Sequence, residues 1–211
     1  MTSVRPTRPS AGRQPRAELT RQRILDETVA CILEEGYPAA SAKHIAERAG
    51  VTWGVVQYHF GDRSGILAAV TEAGLAEFLA TMESVALPDG SLRARLEAIV
   101  DAGHRAYTSR LALASFEILM ANRASSDERL GAQAEPFARE VARLGALVAP
   151  RNDRTVGRVL LTGLRGLALV HLVAPVTVDS SRDRAALVEV LLAYLESTTV
   201  TEPKELAQAG G

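Results

Sequence analysis

The feature that most limits what this chain can fold into is the spacing of its apolar residues, which runs at helical period almost from end to end. Ile24, Leu25, Thr28, Val29, Ile32 and Leu33 recur at i, i+1, i+4, i+5, i+8 and i+9, giving a first helix one apolar face. Gly36 follows, where a left-handed C-cap residue is expected. Ser41 and Thr52 stand where the N-caps of two short helices belong, and Gly50 separates those helices. Beyond Gly61 the spacing predicts longer helices over 63–86, 91–109, 110–124, 126–149, 154–174 and 181–197. Pro88-Asp89-Gly90, Pro150 and Pro175 punctuate them, and Pro136 should kink or split the helix that contains it. Strand-like alternation is nearly absent, and 175–180 reads as a loop, so the expected fold is all-α.

A chain of 211 residues has room for one domain, or for two small ones sharing a core. With 47% apolar and 23% charged residues it is neither disordered throughout, collagen-like nor a disulfide scaffold. The single cysteine, Cys31, excludes an internal disulfide and fits a reducing, cytoplasmic setting. Residues 1–17 are basic but lack the apolar run of a signal peptide. The most apolar stretch, 159–174, is interrupted by Arg165 and His171 and falls short of the ~20 residues of a membrane span. It reads as a buried helix, and no membrane is expected as a partner. The expected organisation is a disordered basic arm (1–17), a small N-terminal domain (18–64), a helical domain (65–200) and a flexible tail (201–211).

The net charge of -1 hides an uneven distribution. Residues 1–23 hold six arginines against one acid, Glu18. Residues 1–66 carry a balance of +2 and the remainder -3. A basic arm on a near-neutral body fits a nucleic-acid partner for the arm and its neighbours, or simply a solvated tail.

The segment 41–67, SAKHIAERAGVTWGVVQYHFGDRSGIL, is the informative one. Ala46 is small where two helices must approach, Gly50 supplies the turn and Val56 lies inward. That is the pattern of a helix-turn-helix whose second helix is free to enter a major groove. With Val55 and Val56 inward, Thr52, Trp53, Gly54, Gln57 and Tyr58 face out. Trp53 suits thymine methyls and sugars, and Gln57 can offer its amide bidentately to adenine. Gly54 lets the helix sit close to base edges. Thr52, Tyr58, His59 and Arg63 suit phosphate oxygens. Phe60 reads as core.

From Thr20 through Leu67 the chain resembles the DNA-binding domain of the TetR family of bacterial transcriptional regulators. The likeness rests on the ILDETVACILEEGY helix, SAKHIAERAGV and the YHFGDRSGIL run. Two positions depart from the family's pattern: Arg63 stands where lysine is usual, and Ser64 where an acid is usual. The resemblance implies a homodimer on a palindromic double-stranded DNA operator, with a C-terminal domain that binds a small effector and releases the DNA. It adds Ser41 and Lys43 as backbone contacts, assigns Thr52, Trp53 and Gln57 to bases, and assigns Tyr58, His59 and Arg63 to phosphate.

The C-terminal half must then hold the dimer face and the sensing site. Val159, Leu160, Leu164, Leu167, Leu187, Leu191, Tyr194 and Leu195 lie on two helices apolar nearly all round, and are the expected dimer residues. Gly163 and Gly166 would let another helix approach. The candidate effector residues are the large or soft side chains Phe78, Met82, Tyr107, Phe116, Met120 and Phe137, with His104, Arg165 and His171 as polar groups. The same residues would serve equally as plain core.

No catalytic pattern is present: there is no GxSxG, Walker A loop, GxGxxG or HExxH. The four histidines and Cys31 lack zinc-ligand spacing, and Glu34/Glu35 sit at a solvent-facing helix end. An enzyme is not expected, nor any cofactor or metal. Two rival readings are a nonspecific architectural DNA-binding protein and a helical protein-protein adaptor built on Trp53.

Overall fold

The computed structural model describes residues 13–124, 134–149, 153–173 and 179–200. Among these it contains helices and no strand: α1 (Arg13–Glu35), a 3-10 turn (Tyr37–Ala39), α2 (Ala42–Arg48), α3 (Trp53–Phe60), α4 (Arg63–Glu83), α5 (Leu92–Thr108), α6 (Arg110–Ala121), α7 (Ala134–Val148), α8 (Asp153–Val173) and α9 (Ser181–Val200). The all-α expectation holds. α1 begins at Arg13, so Arg13–Ala17 are helical rather than part of an arm. The rest of the arm, the 201–211 tail and much of the 175–180 loop lie outside the described residues, as does the start of the predicted 126–149 helix. Pro136 occupies the first turn of the described α7, where a missing N–H breaks no helical bond.

The chain divides into two compact units. The first takes in the chain to Thr71 and also Ala114–Ala124. It therefore extends past the expected boundary at 64 and recruits a segment distant in sequence. Its core is Ile24, Ile32, Ile45, Val56, Ile66, Val70 and Ile118, each fully buried. A buried side chain of that size contributes about 1.5–3 kcal/mol. Two buried hydroxyls satisfy themselves locally: Thr28 donates to the Ile24 carbonyl (2.7 Å) and Ser115 to that of Val70 (3.4 Å).

The second unit, Glu72–Leu113 and Ser125 onward, packs α5, α7, α8 and α9 around Leu96, Ile99, Leu144, Leu160 and Leu164. Among the described residues its one deeply buried acid, Glu140, is held by Arg143 through Nε (2.7 Å) and Nη2 (2.6 Å). Arg143 also donates to the Met82 carbonyl (3.1 Å), so the pair carries α7 onto the end of α4.

Two helices, Arg63–Glu83 and Arg154–Val173, are by length and composition apolar enough to cross a membrane. The second is longer than its apolar stretch 159–174, because the helix starts at Asp153.

Candidate nucleic-acid interface

The first unit is built around α2, a tight turn and α3. Ser41 caps α2 by accepting the His44 amide (3.2 Å). At the other end Gly50 has φ +61°, while its amide reaches the Glu47 carbonyl (3.1 Å) and that of Val51 reaches Ala46 (3.0 Å). This paired closure needs a residue tolerant of positive φ, and Gly50 is that residue. Thr52 begins α3 in extended conformation with no side-chain capping bond, so its hydroxyl stays on the outer surface.

α3 sorts its side chains as the periodicity predicts. Val56 is fully buried and Val55 half-buried, while Thr52, Trp53, Gly54, Gln57 and Tyr58 are all exposed. Trp53 is 42% exposed and Tyr58 82%, unusual for large apolar-bodied side chains on a solvated helix. The Tyr58 ring stands edge-on to His59 at 5.1 Å. Phe60 is half-buried beneath the Arg21 guanidinium (5.4 Å) rather than sealed in the core. Lys43 reaches outward and meets only Glu47 at 3.9 Å.

Arg63 turns into the first unit. Nε donates to the Ala40 carbonyl (2.7 Å), Nη1 to the Tyr37 hydroxyl (3.1 Å) and Nη2 to the Tyr37 carbonyl (3.3 Å). The guanidinium also stacks on the Tyr37 ring at 4.6 Å. Asn122 completes the knot, donating to the Tyr37 hydroxyl (2.9 Å). Arg63 thus fixes the segment before α2 to the foot of α4. Asp62 and Gly65 support that foot: the Gly65 amide donates to Asp62 Oδ1 (2.7 Å), and a Cβ on Gly65 would lie 1.9 Å from the Phe60 carbonyl oxygen.

A second network escaped the sequence reading. Arg48 of α2 donates to Glu27 (3.2 Å), Glu34 (2.9 Å) and Glu35 of α1. These bonds push its pKa above the ordinary arginine value, so it stays charged. Hydrogen bonds from His44 and Arg48 hold the Glu35 carboxyl below its usual range. The spacing of the three acids along α1 was the available signal.

In the second unit, the structure gathers some of the candidate effector residues and separates others. Phe78 lies 4.8 Å from Tyr107 and 5.9 Å from Phe137, ring to ring. Arg165 covers Phe137 (4.8 Å) and Tyr107 (5.7 Å), and Met82 is buried. His104 and His171 face each other at 5.8 Å. His104 Nδ1 and His171 Nε2 are buried without a hydrogen-bond partner among the described residues. Phe116 and Met120 belong to the first unit, and Met120 is 58% exposed.

The expected dimer residues divide likewise. Leu160, Leu164, Leu191 and Leu195 are buried within the single chain, and Leu167 and Leu187 are half-buried. Gly163 is filled by Leu187, whose Cδ1 lies 3.1 Å from its Cβ position, whereas Gly166 faces open space. The outward residues are Val159 and Tyr194 of the expected set, joined by Leu169, Val170, Val173 and Val190.

A capped two-helix turn presenting an exposed Trp, Gln and Tyr, inside an all-α chain, defines a helix-turn-helix DNA-binding domain. Residues 24–70 match the family described as bacterial regulatory proteins, tetR family. It is 36% identical over 98 residues to the HTH-type transcriptional regulator BetI of Klebsiella pneumoniae (strain 342), covering 44% of this chain and 47% of that protein. The match spans about half the length of the curated relatives. The fold resembles a transcriptional regulator from Rhodococcus sp. Rha1 (TM-score 0.69, 20% identity, 84% of this chain and 96% of that one). It also resembles NalD, the secondary repressor of the MexAB-OprM multidrug efflux pump in Pseudomonas aeruginosa (TM-score 0.63, 24% identity, 86% of this chain and 98% of that one). A third solved relative is the multidrug binding protein EbrR complexed with imidazole (TM-score 0.60, 23% identity, 90% of this chain and 97% of that one).

Proposed function

We propose that the chain is a homodimeric, effector-responsive transcriptional repressor acting in the cytoplasm on a palindromic operator. The observation that carries this is the outer face of α3, where Thr52, Trp53, Gly54, Gln57 and Tyr58 are exposed beside a buried Val56. Thr52, Trp53 and Gln57 read bases, with Gly54 allowing close approach. Lys43, Tyr58, His59 and the Ser41 hydroxyl, which can still donate while it caps α2, hold phosphate. Two copies meet through the outward residues of α8 and α9 and address half-sites about one helical turn apart.

The effector enters the second unit among Phe78, Tyr107, Phe137 and Arg165. The unpartnered ring nitrogens of His104 and His171 suit a ligand that brings its own hydrogen-bonding group. Binding there favours a dimer whose heads no longer match the half-sites.

The test is selection of bound fragments from random DNA at near-physiological salt. An enriched inverted repeat is expected, with affinity ~10³-fold or more above bulk DNA. Enrichment without a motif would favour the architectural reading. No retention even at low salt would favour the adaptor.

A further inference from the structure

Folding brings together three metal-ligating groups that the sequence holds apart. The Cys31 sulfur, a Glu35 carboxylate oxygen and a His44 ring nitrogen all lie within 4.8 Å of one another. Cys31 and Glu35 are one turn apart on the last stretch of α1, and His44 comes from α2. We propose that this is a binding site for a borderline-soft divalent cation of the zinc type, ligated by Cys31 Sγ, Glu35 Oε2 and His44 Nε2, with water completing the shell.

The ligand set is of the right kind, since thiolate, imidazole and carboxylate are the groups that zinc takes up. Zinc–ligand bonds of ~2.0–2.3 Å in a tetrahedron set neighbouring ligand atoms roughly 3.3–3.6 Å apart. From separations of up to 4.8 Å the three atoms need contract by about 1.2–1.5 Å at most, which side-chain rotation supplies. His44 Nε2 and Glu35 Oε2 are 2.9 Å apart and would open slightly.

The surroundings divide the work as a metal site requires. Arg48 occupies Glu35 Oε1, leaving Oε2 toward His44. On the far side of the imidazole, Nδ1 faces Glu47 Oε2 at 3.9 Å. Ligation through Nε2 places the remaining imidazole proton on Nδ1, on the side of Glu47, which a small side-chain movement would bring into the carboxylate–histidine–metal arrangement. Four carboxylates, those of Glu27, Glu34, Glu35 and Glu47, stand against the two cations Arg48 and Lys43, so the local field attracts a cation. Cys31 is fully buried and forms the floor, while the Glu35 and His44 side chains are 38% and 37% exposed and form an open mouth. Binding exchanges the Cys31 thiol proton for the metal and releases it to solvent. An occupied site would staple α1 to α2.

The test uses the full chain, reduced and freed of metal by a chelator, titrated with Co²⁺ alone. The expected result is a thiolate-to-cobalt charge-transfer band with tetrahedral ligand-field bands, saturating at one ion per chain and bleached by Zn²⁺. Cys31→Ala abolishes the charge-transfer band. Glu47→Gln, which never touches the ion, weakens binding about 10–100-fold through the imidazole. His44→Gln, at a half-exposed position that leaves the core intact, loses binding even if Cys31→Ala folds poorly. Absence of the charge-transfer band in the parent chain, or its survival in folded His44→Gln, would overturn the site. None of these readouts involves DNA.

Discussion

At the scale of single residues, Gln57 and Arg63 differ in what holds them. Gln57 is exposed on α3, whereas Arg63 spends three nitrogens on its own chain. Gln57→Ala should therefore leave stability unchanged, relax base preference and cost roughly 1–3 kcal/mol of specific binding, measured against a mutated operator. Arg63→Ala should instead lower the denaturation midpoint by about 1–3 kcal/mol, because the Ala40 and Tyr37 carbonyls lose donors. Equal stability of Arg63→Ala and the parent would return Arg63 to the phosphate surface. The intrachain partners of Arg63 lie 23 and 26 residues away, beyond any local pattern. His104 supports a pH prediction. Burial, then Arg184 and His171, lowers its pKa from the ordinary 6.5. Asp101 and Arg105 also face it, acting in opposite directions. The folded chain thus resists a proton that the unfolded chain accepts. His104's contribution is fully present above about pH 6.5 and declines as pH falls through the lowered value. Thermal midpoints should drop on acidification from about pH 7, and His104→Gln should flatten that slope. An unchanged slope would show that His104 titrates normally.

At the scale of elements, the two short helices were legible because their ends are chemically explicit. Ser41, Gly50 and Thr52 mark caps and turn by residue type alone, and α2 and α3 begin within a residue of them. Ser41→Ala should cost about 1 kcal/mol through the uncapped His44 amide. Gly65 is a harder constraint, since a Cβ there would meet the Phe60 carbonyl oxygen at 1.9 Å. Gly65→Ala should force the start of α4 away from α3 and cost about 1–3 kcal/mol. Urea titration of the two variants against the parent checks both, and a neutral Gly65→Ala would mean that α4 can begin elsewhere. The long helices were legible as helices but not in their allegiance. α6 ends in the first unit through Ala114–Ala124, tied there by the Asn122–Tyr37 bond, 85 residues apart in sequence, and by the Ser115–Val70 bond. Hence Phe116 and Met120 belong to a different unit from Phe78, Tyr107 and Phe137, which their spacing does not reveal.

At the scale of the whole molecule, the difficulty is that α8 and α9 are apolar nearly all round, and periodicity cannot say which face the same chain covers. The structure answers in part: Leu160, Leu164 and Leu191 are 0–2% exposed, while Val159, Val173, Val190 and Tyr194 are 42–81% exposed. Removing side chain from the first set should damage the fold, and Leu160→Ala should cost about 2–5 kcal/mol whether or not a second copy is present. Charging the second set should leave the fold intact, because those side chains contribute little burial within one chain. Val190→Asp places a carboxylate at a position 65% exposed in the single chain. If α8 and α9 pair with their copies, that carboxylate is desolvated twice over in the dimer, once from each subunit, at a cost that association cannot recover. Sedimentation should then show a monomer with the parent's helix content. Affinity for a single half-site should persist, while the gain from two heads on one inverted repeat disappears. A variant that stays dimeric at the parent's concentration, with the parent's operator affinity, would place the partner copy on some other face of the second unit.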